Sequence, residues 1–125
     1  MLLAHQIAGL LGILACLGLG LVGTFRPQLI MNGAGISTST GHGQQELRAL
    51  MGGTFLGIAA ALLTVGSSDV YRVAGYAFFG VVVAKLYGQV VDKPAVKNSV
   101  PGLVIDLVLG LLLLAGSFAP PLIVL

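Results

Sequence analysis

The chain has 125 residues, of which 8% are charged and 57% hydrophobic, with a mean hydropathy of +1.05. A soluble domain of this length needs far more polar surface to stay dispersed, so the composition excludes an ordinary water-soluble fold and points to lipid as the solvent. The net charge of +2 does not mark a nucleic-acid binder, because the six basic residues are scattered around helix ends and are matched by anionic lipid headgroups alone.

In chain order, four apolar stretches predict transmembrane helices at 4–25, 45–65, 69–91 and 100–118, in one all-α, up-down-up-down four-helix bundle. Each is about 18–23 residues, or roughly 27–34 Å, which suits a hydrocarbon core of about 30 Å. The first helix stops before Arg26-Pro27, since proline disfavours helix in the residue before it. Ile13-Leu14-Ala15-Cys16 loosely resembles a lipobox, but no basic region precedes it, so this helix is expected to be retained. Cys16 is the only cysteine, which rules out an intrachain disulfide and suggests a packing role.

Residues 26–44, with four glycines and the run Ser37-Thr38-Ser39-Thr40, read as a long surface loop with a short interfacial piece around Leu29-Ile30-Met31. The second helix is expected to begin near Gln45-Glu46, with Glu46 complementing the helix dipole. Gly66-Ser67-Ser68 predicts a tight turn, Ser68 as N-cap and Asp69 in the first turn. So short a connection makes the second and third helices antiparallel neighbours. Asp92-Lys93-Pro94 ends the third helix, and the fourth is expected to open at Val100-Pro101, where proline is tolerated. The tail, residues 122–125, is expected at the membrane interface.

Small residues recur four apart along these helices: Ala8, Gly12, Cys16, Gly20 and Thr24; then Ala49, Gly53, Gly57 and Ala61. Gly80, Ala84 and Gly88 follow, and Gly102 and Gly110 flank Asp106. Such stripes let backbones approach closely in lipid, which nominates Gly12, Gly20, Gly53, Gly57, Gly80, Ala84 and Gly110 as helix-packing positions. Arg26, Arg48, Lys93 and Lys97 belong to one side and Arg72 to the other. That bias predicts a multi-pass protein of a bacterial inner membrane with both termini on the non-cytoplasmic side.

The same side collects Glu46, Arg48, Lys85, Asp92 and Asp106, an expected intramembrane polar cluster. Asp106, five residues into its expected helix, needs a partner, because a charge at the bilayer centre costs about 2.5–3.5 kcal/mol. Lys85 is nearest in depth and Arg48 second. The cluster reads as a structural ion-pair network that sets helix register, as a proton- or ligand-responsive site, or as a Lys85 that merely snorkels. His5 and His42 lie on opposite sides, so no metal site is expected; either lone histidine can otherwise ligate a pigment or haem. Gly41-His42-Gly43 lacks the Lys-Ser/Thr ending of a phosphate loop, and no nucleophile elbow or zinc-protease motif occurs. Tyr71 and Tyr87 are expected as interfacial anchors.

Glu46-Leu47-Arg48-Ala49-Leu50-Met51-Gly52-Gly53, Phe55-Leu56-Gly57, Lys85, Asp92-Lys93-Pro94 and Asp106 together resemble a family of small four-helix membrane proteins, domain of unknown function 4345. The chain departs from the family pattern in carrying Lys85 where Arg is expected and Asp106 where Glu is usual. The resemblance implies a four-helix fold and a recurring polar cluster, and no activity. The reading from residues is a non-enzymatic accessory or assembly subunit of a larger membrane complex, respiratory and photosynthetic complexes among the candidates. Alternatives are a small proton- or solute-linked carrier or channel acting as a homo-oligomer, and a lipid- or pigment-binding membrane protein. No cofactor is expected beyond such a lipid or pigment, and the expected partners are the bilayer and that complex or oligomer.

Overall fold

A computed structural model describes residues 1–121, so the expected placement of residues 122–125 lies outside the described residues. The elements are α1 (Leu2–Phe25), α2 (Pro27–Ala34), α3 (Gly41–Arg48), a π-helical segment (Ala49–Gly53), α4 (Thr54–Thr64), α5 (Ser68–Val91) and α6 (Val96–Gly116). The segments from α3 to α4 run on as one helix, Gly41–Thr64. With α1, α5 and α6 it makes four helices long and apolar enough to cross a membrane, and the described residues contain no strand.

Local chemistry moves several boundaries from their expected places. Pro27 opens α2 at a position where its missing N–H costs nothing, and Gly35 closes it in the left-handed conformation at φ 70°. The expected long loop therefore shrinks to residues 35–40. Thr40 caps α3, its hydroxyl accepting from the Gly43 N–H at 3.0 Å, so that helix starts ahead of Gln45 and Glu46 is not in its first turn. Ser67, not Ser68, caps α5, accepting from the Val70 N–H at 3.4 Å; Asp69 is in the first turn. α6 opens at Val96 rather than Val100, because the Asn98 and Ser99 N–H groups already bond to the Ala95 carbonyl. Pro101 consequently lies inside α6.

α1 is the hub. Near the end where α1 begins it packs on α6, with Gly9 against Gly116 and Gly12 under Leu113. Toward its other end it packs on α4 and the π segment, with Gly20 under Leu56 and Gly23 at backbone contact with Met51 and Gly52. Across these seams a glycine faces either a bulky side chain or another backbone. A Cβ on Gly12 would stand 2.6 Å from Leu113, and one on Gly110 would stand 2.9 Å from Phe79. Dispersion rewards this interlocking of large with small, so a stripe of small residues with no opposing knob is not by itself an interface.

That rule corrects four of the seven expected packing positions. Gly12, Gly20 and Gly110 pack as expected, whereas Gly53, Gly57 and Gly80 meet nothing within 4 Å and Ala84 is exposed. On the continuous helix the buried positions are Gly52, Ala59 and Leu62, one or two residues away from the expected stripe. Tyr71 is also not an anchor: it is 1% exposed, wedged against Gly9 and Gly116 in a core with Ile13, Cys16, Leu62, Phe78 and Leu113. Tyr87 does face outward, as does Tyr76. α4 and α5 are antiparallel across the Gly66 turn, yet α4 rests mainly on α1. Phe55 stacks on Phe78 at 5.7 Å between them, beside an apolar groove of 390 Å³.

These contacts predict opposite outcomes for adjacent glycines. Gly52→Ala should destabilise the chain by about 1–3 kcal/mol, because the new methyl meets the Thr24 backbone. Gly53→Ala should be neutral or gain up to about 1 kcal/mol from helix propensity. Unfolding titrations in detergent micelles check both.

Candidate functional site

Asp106 is the midpoint of α6, about 15 Å along the axis from Val96 and deeper than a start at Val100 implied. It lies one turn from Gly110, against which Phe79 of α5 packs, so its face of α6 looks toward α5. Lys85 Nζ donates to Asp106 Oδ2, forming the ion pair of the α5–α6 seam. The Asp106 side chain is 13% exposed and that of Lys85 45%. The Asp106 side chain is thus confined between helices, while that of Lys85 is partly open to the outside of the seam.

Sequence reasoning missed the rest of this seam. Ser99 Oγ donates to Gln89 Oε1 at 2.7 Å, and Gln89 Nε2 donates to the Pro94 carbonyl at 3.0 Å. The signal was present: Lys85 and Gln89 are four apart on α5, and Ser99, Gly102 and Asp106 are three and four apart on α6. A Cβ on Gly102 would stand 3.2 Å from Lys85 Nζ, so this glycine makes room for the ammonium. The Ser99–Gln89 bond sets the register and places Lys85 level with Leu103, about one turn nearer the rim than Asp106. Lys85 therefore reaches inward to its partner, as a helical side chain leaning toward its own N-terminus does. It does not extend to the nearest rim.

The other expected members are placed elsewhere. Arg48 Nη1 donates to the Thr24 carbonyl in the last turn of α1, where a cation complements the helix dipole. Glu46 forms no ion pair among the described residues, and Asp92 sits at the C-cap of α5 with its carboxylate near Gly88. The polar residues share one half of the bundle but make two separate arrangements, Arg48 on α1 and Lys85–Asp106 on α5–α6. At the opposite rim Asp69 pairs with Arg72 at 3.3 Å, and His5 packs on Phe118 with ring centroids 5.5 Å apart and tilted by 39°. His42 is exposed in the first turn of α3, and no group of three metal-ligating side chains converges among the described residues.

A paired charge in lipid tolerates loss of both members better than loss of one. Lys85→Met should cost about 2.5–3.5 kcal/mol by stranding the Asp106 carboxylate. The double variant Lys85→Met/Asp106→Leu should recover most of that loss, as read by unfolding in micelles.

No curated protein and no solved structure matches the chain. The family described as Domain of unknown function (DUF4345) matches residues 4–117, which takes in all four long helices almost to their ends. The chain belongs to that family.

Proposed function

We propose that the protein is a non-enzymatic subunit embedded in the membrane, where it packs against a larger membrane complex. One observation carries this reading: Gly53 and Gly57 on the second long helix and Gly80 on α5 meet nothing within 4 Å. Glycines on an outward helix face admit the close backbone approach of another helix in lipid, and among the described residues no helix uses them. The bundle also leaves little mass outside its long helices, with only short turns, α2 and the first turns of α3 between them.

The rim that carries Arg26, Arg48, Lys93 and Lys97 is assigned to the cytoplasm, and both termini to the opposite side of a bacterial inner membrane. Reporter fusions at each terminus should read as non-cytoplasmic; a cytoplasmic signal from either reverses the assignment.

Purification in a mild detergent followed by mass spectrometry should retain partner proteins in fixed stoichiometry. A chain that elutes alone overturns the proposal. Gly57→Leu should strip the partners while leaving the isolated chain no less stable, with a gain of up to about 1 kcal/mol from helix propensity.

A further inference from the structure

α4 and α5 leave the Gly66 turn side by side, yet α4 rests mainly on α1 and α5 on α6. The two helices therefore splay, and the apolar groove of 390 Å³ lies between them. Ile58 and Ala61 line it from α4, Val70, Val73 and Ala77 from α5, and Asp69 stands at its outer end. From Asp69 to Ala77 it is about 12 Å long by helical rise, and it ends inward near the stacked pair Phe55 and Phe78. Spread over that length, the volume gives a section of roughly 30 Å², against roughly 80–110 Å² for a helix 10–12 Å across. A single hydrocarbon chain is slim enough for this furrow, and the body of a helix is not.

The mouth of the groove is charged in a definite order. Asp69 is in the first turn of α5, and Arg72 follows three residues, or about 4.5 Å, further in. Arg72 Nη1 donates to Asp69 Oδ1 at 3.3 Å, and both side chains are open to the outside. An exposed pair at this spacing contributes little by itself, and the guanidinium has further N–H groups to offer a ligand. At the other rim basic residues predominate, with Arg26, Arg48, Lys93 and Lys97, which suits anionic headgroups. The groove mouth instead balances one carboxylate with one guanidinium.

We propose that the α4–α5 groove holds one acyl chain of a zwitterionic phospholipid with a primary amine in its headgroup, of the phosphatidylethanolamine type. In that headgroup the phosphate adjoins the glycerol and the ammonium lies farther out, toward water. The protein presents the complements in the same order, the guanidinium of Arg72 on the inner turn and the carboxylate of Asp69 on the outer one. Arg72 donates to the phosphate, and Asp69 accepts hydrogen bonds from the ammonium. A choline headgroup has no N–H for Asp69, and a glycerol headgroup brings a net negative charge beside it. The site thus selects the primary amine. This goes beyond the subunit reading and does not rest on it, since every protein group involved belongs to this chain.

The test is native mass spectrometry of the delipidated chain in a mild detergent. It is offered equal amounts of phosphatidylethanolamine, phosphatidylcholine and phosphatidylglycerol with identical acyl chains. One phosphatidylethanolamine should be retained per chain, about fivefold over either competitor, the discrimination of one modest headgroup ion pair. Asp69→Asn should erase the preference over phosphatidylcholine, and Arg72→Gln should weaken retention of all three. Ala77→Phe, at an exposed position of the groove wall, should abolish retention while circular dichroism shows unchanged helix content. Retention without headgroup preference assigns the groove to bulk lipid tails and overturns the proposal, as does an Ala77→Phe chain that binds like the wild type. A chain that retains no lipid overturns it too and leaves the groove to a partner's side chains. A chain that elutes without partner proteins but carries phosphatidylethanolamine refutes the subunit reading alone.

Discussion

The bundle depends on backbones meeting where no hydrophobic force pushes helices together. Lipid tails are as apolar as leucine, so association must come from contact density and polar bonds. This chain supplies contact density by setting glycine against a bulky neighbour or another glycine: Gly12 under Leu113, Gly20 under Leu56, Gly110 against Phe79, Gly23 on Gly52. α1 has such positions along its whole length and so serves as the central member, with α6 on one half and α4 on the other. α5 then docks on α6 rather than on α4, its chain neighbour.

Polar bonds complete the seam that glycine contact begins. Between α5 and α6, Gly75 and Phe79 give way to Lys85 and then Gln89 as the rim approaches, each facing a matching position on α6. A satisfied polar group in lipid discriminates strongly between registers, because a slip of one turn leaves several donors and acceptors bare. The same logic places Arg48: its guanidinium meets the Thr24 carbonyl in the last turn of α1. Two arrangements, one near the rim and one reaching the middle of α6, thus orient the α1–α4 and α5–α6 packings independently.

The described part of the chain leaves an outer surface that is largely apolar along the spans, Thr54 and Lys85 apart, and uneven in relief. Gly53, Gly57 and Gly80 form low ground beside Leu50, Val83 and Tyr87, all more than half exposed. A complex that uses this low ground would contact the second long helix and α5, leaving the α1 hub undisturbed.

By itself the sequence determined the number of long helices, their apolar character, the side on which the charges gather and the need of Asp106 for a cation. Those follow from composition and from position along the chain, which the amino acids state directly. Helix starts were less legible, because Thr40, Ser67 and Ala95 begin helices through hydrogen bonds that compete with equally plausible caps one to five residues away. Only the tertiary structure decided which face of each helix turned inward, which glycines are covered, and that Tyr71 belongs to the core. A periodic stripe marks a face without saying what stands opposite. The choice falls to whichever rotation interlocks the most side chains with a partner helix, and that partner is far away in sequence.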